Sequence, residues 1–548
     1  MERVPLPEVD DFMTLWVDAI CINQANTPER NSQVRQMRTI YSKAKEVQVW
    51  LGEDNGIDSG LFDNLLEAGT FARLCGTTSR ERDRISQLYQ RLGFEGQLPG
   101  GEISNMTDRM RRIFQDLGRL LRLPWFQRVW VVQEVVLPKS INISLHCGQQ
   151  CMPWNIFNEV MKAVMLAIKT GLLGISADGL ALASAIRHDM PGTESEQGPI
   201  NLPGQVMMTF IDDVVLQRNR KDPLSLLNLV GDSRGLLQAT DARDHIYGFL
   251  GIAPNPDLIS PDYSKTAGEI YAQFAKSTIE ETGTLDILGD CRLYDNRKFP
   301  SWVPDWTQAG PRNLPMESAL RNRITLYRAD FGLDKTISFE NNLIILKVKG
   351  VFWDKVLTIG EQAKIPHQDC LAVMQQWLEL LAENSQCRSP YSSRSGAILE
   401  AFWRCMCTDD EGNSSTRAPE RFGDEFYTAM YSKLPESLRA DVPPWREQLN
   451  TTLATPQNLL TLLMAISAKA NGRRFMISSD NYIGLAPNEA QVGDEIFVLA
   501  GSSVPFILRP EDGHHLVIGE AYVHGLMDGE ASRRVDDRRA EIRDISLH

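Results

Sequence analysis

The chain has 548 residues, 43% hydrophobic and 23% charged, with 57 Lys+Arg against 71 Asp+Glu and a net charge of −14. This composition excludes a mostly disordered chain, a collagen-like fibre and a coiled coil. The acidic balance argues against generic nucleic-acid binding, which needs a cationic face. Nine cysteines, an odd number at low density, argue against a disulfide framework and make the cytoplasm the default location. The opening MERVPLPEVDDF has no apolar stretch of the secretory kind. The most apolar window, 163–186, is broken by Lys169, Asp178 and three glycines, so it reads as a buried helix pair and no membrane span is expected.

Taken in chain order, TLWVDAICI (Thr14–Ile22) predicts a buried strand interrupted by one acid, Asp18. Thr27 before Pro28 predicts the N-cap of an amphipathic helix over 28–44, with Val34, Met37, Ile40, Tyr41 and Ala44 at helical spacing. EVQVWL (Glu46–Leu51) predicts a second strand. Strand, capped helix, strand is the βαβ pattern, so the two strands are expected to be adjacent and parallel. Residues 58–75 and 106–122 read as helices around a Gly-rich loop at 92–105. Pro124 opens a further helix, PWFQRVWVVQEVVL, and Ser140–Cys147 alternates as a strand.

From 151 to about 330 the pattern is mainly helical, with a capping box at Thr266–Glu269. PSWVPDW (Pro300–Trp306) reads as a packed, extended segment whose tryptophans dock on a core. Ile337–Ile359 has strand character, and the polar stretch 386–422 predicts a linker or long loop. From 473 to 531, short apolar runs between turn signals predict a small antiparallel β module packed on the body. The expected division is 1–150, 151–330, 331–465 and 466–548.

Several stretches together resemble the fungal heterokaryon-incompatibility (HET) domain family. They are LWVDAICINQANTPERNSQVRQMRTIYSKAKEVQVWLGE (Leu15–Glu53), PWFQRVWVVQEVV (Pro124–Val136), ATDARDHIYGFLGIA (Ala239–Ala253), PDYSKT (Pro261–Thr266), PSWVPDW, and the tail with GRRFMISSDNYIGLAP and GDEIFVLAG. The resemblance spans nearly the whole chain in matching order. Family members usually begin with an ALSYxWG-like strand before the LWVDAICINQ segment. The resemblance therefore implies an N-terminally truncated member, with an exposed or borrowed sheet edge near Thr14–Ile22. It also implies an α/β fold similar to Toll/interleukin-1 receptor (TIR) domains, a flavodoxin-like parallel sheet wrapped by helices. The mainly helical region and the C-terminal β module follow it.

The function implied is allorecognition with programmed cell death in filamentous fungi. The partner implied is a protein, such as another incompatibility protein of the HET or NLR type, or a second copy. Two alternatives stand beside it. One is a truncated or accessory member, such as a gene-cluster neighbour, without an incompatibility role of its own. The other is a TIR-like NAD glycohydrolase, with NAD as substrate and no resident cofactor. TIR-like domains use a glutamate in a WCxxE-like setting, and here Trp130 to Glu134 is W-x-x-x-E, which carries that role to Glu134.

The residues themselves support singling out Glu134. On a continuous helix Phe126, Trp130 and Leu137 share its apolar stripe, and no Lys or Arg falls one turn away. Such an acid needs a partner from another segment, a cleft to solvent, or a raised pKa. Both a structural and a catalytic carboxylate meet that requirement. Asp18 reads as a buried hydrogen-bonding acid. Asn23, Gln24 and Arg30 lie nearer the crevice expected at the strand ends, as ligand- or partner-contacting residues or as capping and turn residues. Cys405 and Cys407, with Cys387 before them, lack the second pair a zinc site needs, so no metal site is expected. His245, His514 and His515 read as solvated or structural. The chain has no G-x-S-x-G, P-loop, H-E-x-x-H or G-x-G-x-x-G motif.

Overall fold

A computed structural model describes residues 3–5, 12–53, 56–74, 108–139, 142–169, 203–218, 224–293, 299–308, 326–365, 370–384, 390–391, 397–411, 416–442 and 456–548. It divides into two units, Met1–Thr266 with Trp306–Ala309, and Ala267–Asp305 with Gly310–His548.

In the first unit, β1 (Arg3–Pro5) and β2 (Phe12–Thr14) form an antiparallel pair. The expected buried strand at Thr14–Ile22 is not formed. Residues Asp18–Cys21 are one exposed helical turn, α1. The reason is local: the Asp18 carboxylate accepts the Ala19 N–H at 2.7 Å, and the Cys21 N–H donates to the Val17 carbonyl at 2.7 Å. A short acid that bonds the adjacent backbone competes with the strand ladder. Asp18 is accordingly exposed rather than a buried mid-strand acid, and Leu15 and Ile20 are exposed with it.

Helix α2 (Thr27–Lys43) forms as expected and buries Val34 and Met37. Its N-cap is Asn26, one residue before the predicted Thr27, with the Asn26 side chain accepting the Glu29 N–H at 3.2 Å. Asn26→Ala is therefore expected to cost about 1 kcal/mol. Thr27→Ala should leave stability unchanged, and chemical denaturation of the two variants separates them.

Strand β3 (Val47–Trp50) also forms, but its parallel partner is β4 (Ile143–Cys147), paired from Val47↔Ile143 to Trp50↔His146. Between them lie α3 (Leu61–Leu74), α4 (Asp108–Leu120), a 3-10 turn Pro124–Gln127 and α5 (Val131–Val136). The expected βαβ unit through α2 is therefore absent, since its first strand is not formed; the parallel pair is instead β3–β4, joined by a longer crossover. β5 (Gln150–Pro153) returns antiparallel to β4 and leads into α6 (Trp154–Lys169). α7 (Pro203–Arg218), α8 (Leu226–Ser233) and α9 (Asp244–Tyr247) follow. An aromatic core ties the 3-10 turn to α6: Trp125 meets Trp154 at 6.0 Å and Phe126 meets Phe157 at 6.2 Å between ring centroids. The predicted loop at 92–105 and most of the apolar window 163–186 lie outside the described residues.

The second unit begins with α10 (Ala267–Thr282), where the capping box predicted a helix start. β6 (Ile337–Glu340) and the long β7 (Ile345–Gln362) form a hairpin. Helices α11 (Cys370–Glu383), α12 (Ala397–Met406), α13 (Glu420–Met430) and α14 (Pro456–Ala470) follow. α12 corrects the linker expected at 386–422. Ile398, Leu399, Phe402, Trp403 and Met406 of that stretch are buried on a helix.

The tail then supplies β8 (Arg473–Ser478), β9 (Ile483–Pro487), β10 (Glu495–Leu499), β11 (Phe506–Glu511), β12 (His514–Glu520), β13 (Tyr522–Val523), α15 (Glu530–Asp536) and β14 (Ile542–Leu547). This is the expected β module, but it closes on β7. One half of β7 pairs with both β14 and β10, and β10, β11, β12 and β14 complete the ring. The other half, Val356–Gln362, pairs with β8, which carries β9 and β13. Gly350 sits where β10 and β14 meet β7. A Cβ there would lie 2.7 Å from Ile545 Cδ1 and 2.9 Å from the Val498 carbonyl oxygen, so only glycine admits both neighbours. Val351, Trp353, Met476, Ile496, Val498, Ile507 and Ile518 fill the core of this sheet. Trp302 and Trp306 of PSWVPDW are both fully buried in an irregular segment, as their spacing among prolines predicted.

Candidate functional site

The helix expected from Pro124 to Leu137 is interrupted. Arg128 is extended (φ −82°, ψ 135°), and the helix restarts at Val131 with Trp130 as its N-cap. The break has a partner: the Val129 N–H donates to the Gln238 carbonyl at 3.0 Å, and the Gln238 N–H to the Gln127 carbonyl at 2.5 Å. Glu134 therefore lies in the first turn of a short helix rather than in the middle of a long one.

The Glu134 carboxylate is half-buried and has a partner that sequence periodicity did not show. The Trp125 indole N–H donates to Glu134 Oε2 at 3.0 Å. Burial pushes the Glu134 pKa up, the Trp125 hydrogen bond and the Arg128 charge pull it down, and Asp18 raises it further. Tyr41 of α2 stands in the same field, its phenol raised by burial and then by the charges of Glu134 and Asp18. The centre thus gathers Trp125, Glu134, Tyr41, Arg128 and Asp18.

A second group adjoins Trp130. Its indole N–H donates to Asp244 Oδ2 at 3.1 Å, and the Tyr263 hydroxyl donates to Asp244 Oδ1. Arg30 of α2 lies 3.5 Å above the Tyr263 ring, 3.1 Å from Asp241 Oδ2 and 3.8 Å from Asp244 Oδ2. Arg243 binds Asp241 in a two-pronged fashion, Nε to Oδ1 at 2.8 Å and Nη2 to Oδ2 at 2.8 Å, and its Nη1 donates to the Tyr263 carbonyl at 2.8 Å. Burial raises the Asp244 carboxyl against the Tyr263 and Trp130 hydrogen bonds. Burial would raise Asp241 too, but the Arg243 hydrogen bonds and the charges of Arg243 and Arg30 outweigh it, and Asp241 is lowered.

Arg30 is thus a cross-linking residue. Asn23 and Gln24 are exposed in the turn between α1 and α2. The Asn23 N–H donates to Glu29 Oε1 at 3.1 Å, Asn23 Oδ1 accepts the Ala25 N–H at 3.1 Å, and Gln24 Nε2 reaches the Asp18 carbonyl at 3.5 Å. Asp241, Asp244 and Tyr263 were missed by motif reading. The signal available was one string of alternating charge, D-A-R-D, ahead of a buried H-I-Y-G run. A cavity of about 260 Å³ in this unit lies elsewhere, lined by Asp58, Leu61, Arg112 and Asp116 among others, and touches none of these residues.

Cys405 and Cys407 are free and fully buried, and Cys387 lies outside the described residues. His245 is buried within α9, and His514 and His515 follow the Asp512–Gly513 hairpin tip. Among the described residues no group of three or more His, Cys, Asp or Glu is arranged to hold a metal ion, and no helix is long and apolar enough to cross a membrane.

Residues 6–134 match the family described as heterokaryon incompatibility protein (HET), and residues 449–542 match the Het-6 beta-barrel domain. The chain thus carries a HET domain and a Het-6 beta-barrel domain. Heterokaryon incompatibility protein 6, OR allele, of Neurospora crassa is 24% identical to it over 574 residues, covering 94% of this chain and 81% of that protein. No solved structure gives a match. The HET match ends at residue 134, and the barrel match omits β7, the strand on which the ring closes.

Proposed function

We propose that this chain is a death-inducing incompatibility module of the fungal cytoplasm, and that the Trp125–Glu134 pair is its working centre. The observation that carries the reading is the co-occurrence of a HET match and a Het-6 barrel match in one chain, 94% of which aligns with the Neurospora incompatibility protein. The triggering partner is a protein, either another incompatibility protein or a second copy. The finer TIR-like reading of the sheet is supported by the parallel β3–β4 pair and its helical crossover. Expression of the full chain in a filamentous fungal host should arrest growth. A chain that leaves growth unchanged at confirmed abundance would refute the reading.

The NAD glycohydrolase reading is favoured by one observation: Glu134 sits half-buried among aromatic rings with its pKa pushed up by burial. A carboxylate there would stabilise positive charge on the ribose as nicotinamide leaves, in a setting where water competes little. Glu134→Gln keeps the size and accepts the Trp125 hydrogen bond while removing the charge. It should abolish both growth arrest and NAD loss, with the melting temperature held within a few degrees. Mass-spectrometric NAD measurement checks it; undiminished NAD loss in the variant would remove Glu134 from the chemistry.

A further inference from the structure

The segment from Gln238 to Tyr263 lies outside the HET match, yet it determines where the helix bearing Glu134 sits. Four kinds of tie converge on residues 127–133. The backbone of Gln238 pairs with Gln127 and Val129 at the helix break. Asp244 holds the Trp130 indole at 3.1 Å, on the residue that caps the restarted helix. The Gly248 carbonyl accepts from the fully buried Gln133 Nε2 at 2.8 Å, one residue before Glu134. Two glycines then let the chains close on each other. A Cβ on Gly248 would lie 2.8 Å from Val129 Cγ2, and one on Gly251 would lie 2.1 Å from Gln133 Oε1. Tyr263 and Arg30 brace Asp244 from the far side.

These ties act on Trp130, Gln133 and the helix break, whereas the Glu134 carboxylate is bonded to Trp125. We propose that Asp244, with the Gly248 carbonyl and Gly251, is a positioning device for the Trp125–Glu134 pair, so that the working HET module of this chain runs through Tyr263. The proposal rests on the reading of that pair as the working centre. A short helix of this kind has little intrinsic stability, so its register comes from the contacts around it. An ångström of misplacement at a reacting group costs up to about a hundredfold in rate.

The test uses the full chain in a fungal host, with growth arrest scored at matched abundance and the melting midpoint of each purified variant measured. Trp130→Phe and Asp244→Ala should each weaken arrest by roughly tenfold or more. The double variant should be no weaker than Asp244→Ala alone, because both changes break the Trp130–Asp244 contact. Gly251→Ala should also weaken arrest, because its Cβ would displace the Gln133 side chain that holds the Gly248 carbonyl. The readout that separates positioning from mere stability is fluorine NMR of protein labelled with 5-fluorotryptophan, with the Trp125 resonance assigned through Trp125→Phe. It should move in Asp244→Ala, although Asp244 bonds Trp130 and not Trp125. Undiminished arrest in Asp244→Ala, or a loss that only tracks abundance and melting midpoint with the Trp125 resonance unmoved, would overturn the proposal. If the unaltered chain gives no arrest, the functional reading falls, and the Trp125 resonance alone decides the positioning.

Discussion

Replacing Glu520 by alanine is expected to cost the second unit about 3–5 kcal/mol above about pH 7, where Glu520 is ionised, because it leaves a buried guanidinium without its counter-charge. Arg473 at the start of β8 and Glu520 at the end of β12 are both fully buried. Arg473 Nη2 donates to Glu520 Oε1 at 2.6 Å, and Nη1 to the Glu520 backbone carbonyl at 3.1 Å. The second carboxylate oxygen, Oε2, has no hydrogen-bond partner among the described residues. Burial therefore outweighs the attraction of Arg473, and the Glu520 carboxyl is pushed from 4.5 up to about 7.

The sign for stability follows from proton counting. Between those two values the folded chain holds a proton that the unfolded chain has released, so stability falls as pH rises through the window. One proton corresponds to about 1.4 kcal/mol per pH unit. Glu520→Gln keeps an acceptor for Arg473 and cannot titrate, so its cost should be smaller and its pH profile flatter than wild type between about pH 4.5 and 7. Denaturant titrations of wild type and both variants across that range and above it check the claim. An alanine variant as stable as wild type, or a wild-type excess over the glutamine variant that grows with pH, would contradict it.

How far the sequence could be read depended on the range of the interactions involved. Helix α2 and strand β3 were legible because Pro28, Val34, Met37 and the alternating VQVW act within their own segments. The Thr14–Ile22 segment misled because its hydrophobic content describes a strand, whereas the Asp18 carboxylate turns the backbone locally. The partner of β3 was not legible at all. Parallel pairing with β4 depends on a crossover through several helices, and nothing in either strand names the other. The same holds for the closure of the barrel on β7, whose first half bonds two different tail strands.

At the candidate site, the W-x-x-x-E spacing pointed to Glu134, and Arg30 was picked out at the helix start. What joins them was hidden, because Trp130–Asp244 and Arg30–Asp241 are contacts between residues more than a hundred positions apart. Asn23 and Gln24 illustrate the converse. Residues placed at an expected strand end bond one another's turn once that strand is absent.

The polar stretch 386–422 is the sharpest case, and it carries the last prediction. Ser, Arg and Asp dominate its two ends, and averaging over them hides a ten-residue helix, AILEAFWRCM, whose apolar residues recur at helical spacing. Trp403 is the test of that helix. Its side chain is 1% exposed, and its indole N–H has no hydrogen-bond partner among the described residues, so its contribution is packing. The next residue, Arg404, lays its guanidinium 4.4 Å from the Trp403 ring centroid and reaches Asp409 at 2.7 Å and Glu420 at 2.6 Å. The ring thus supports an ion-pair group as well as the core. Trp403→Ala should destabilise the unit by about 3–5 kcal/mol, the range for truncating a buried aromatic to a residual cavity. Trp403→Phe, which fills most of the volume and removes an unpaired N–H, should cost far less. A linker residue would show neither effect. Thermal melts of the two variants discriminate: the alanine variant should melt at least about 6 °C below wild type. A melt unchanged in Trp403→Ala would return residues 397–406 to the status of a loop.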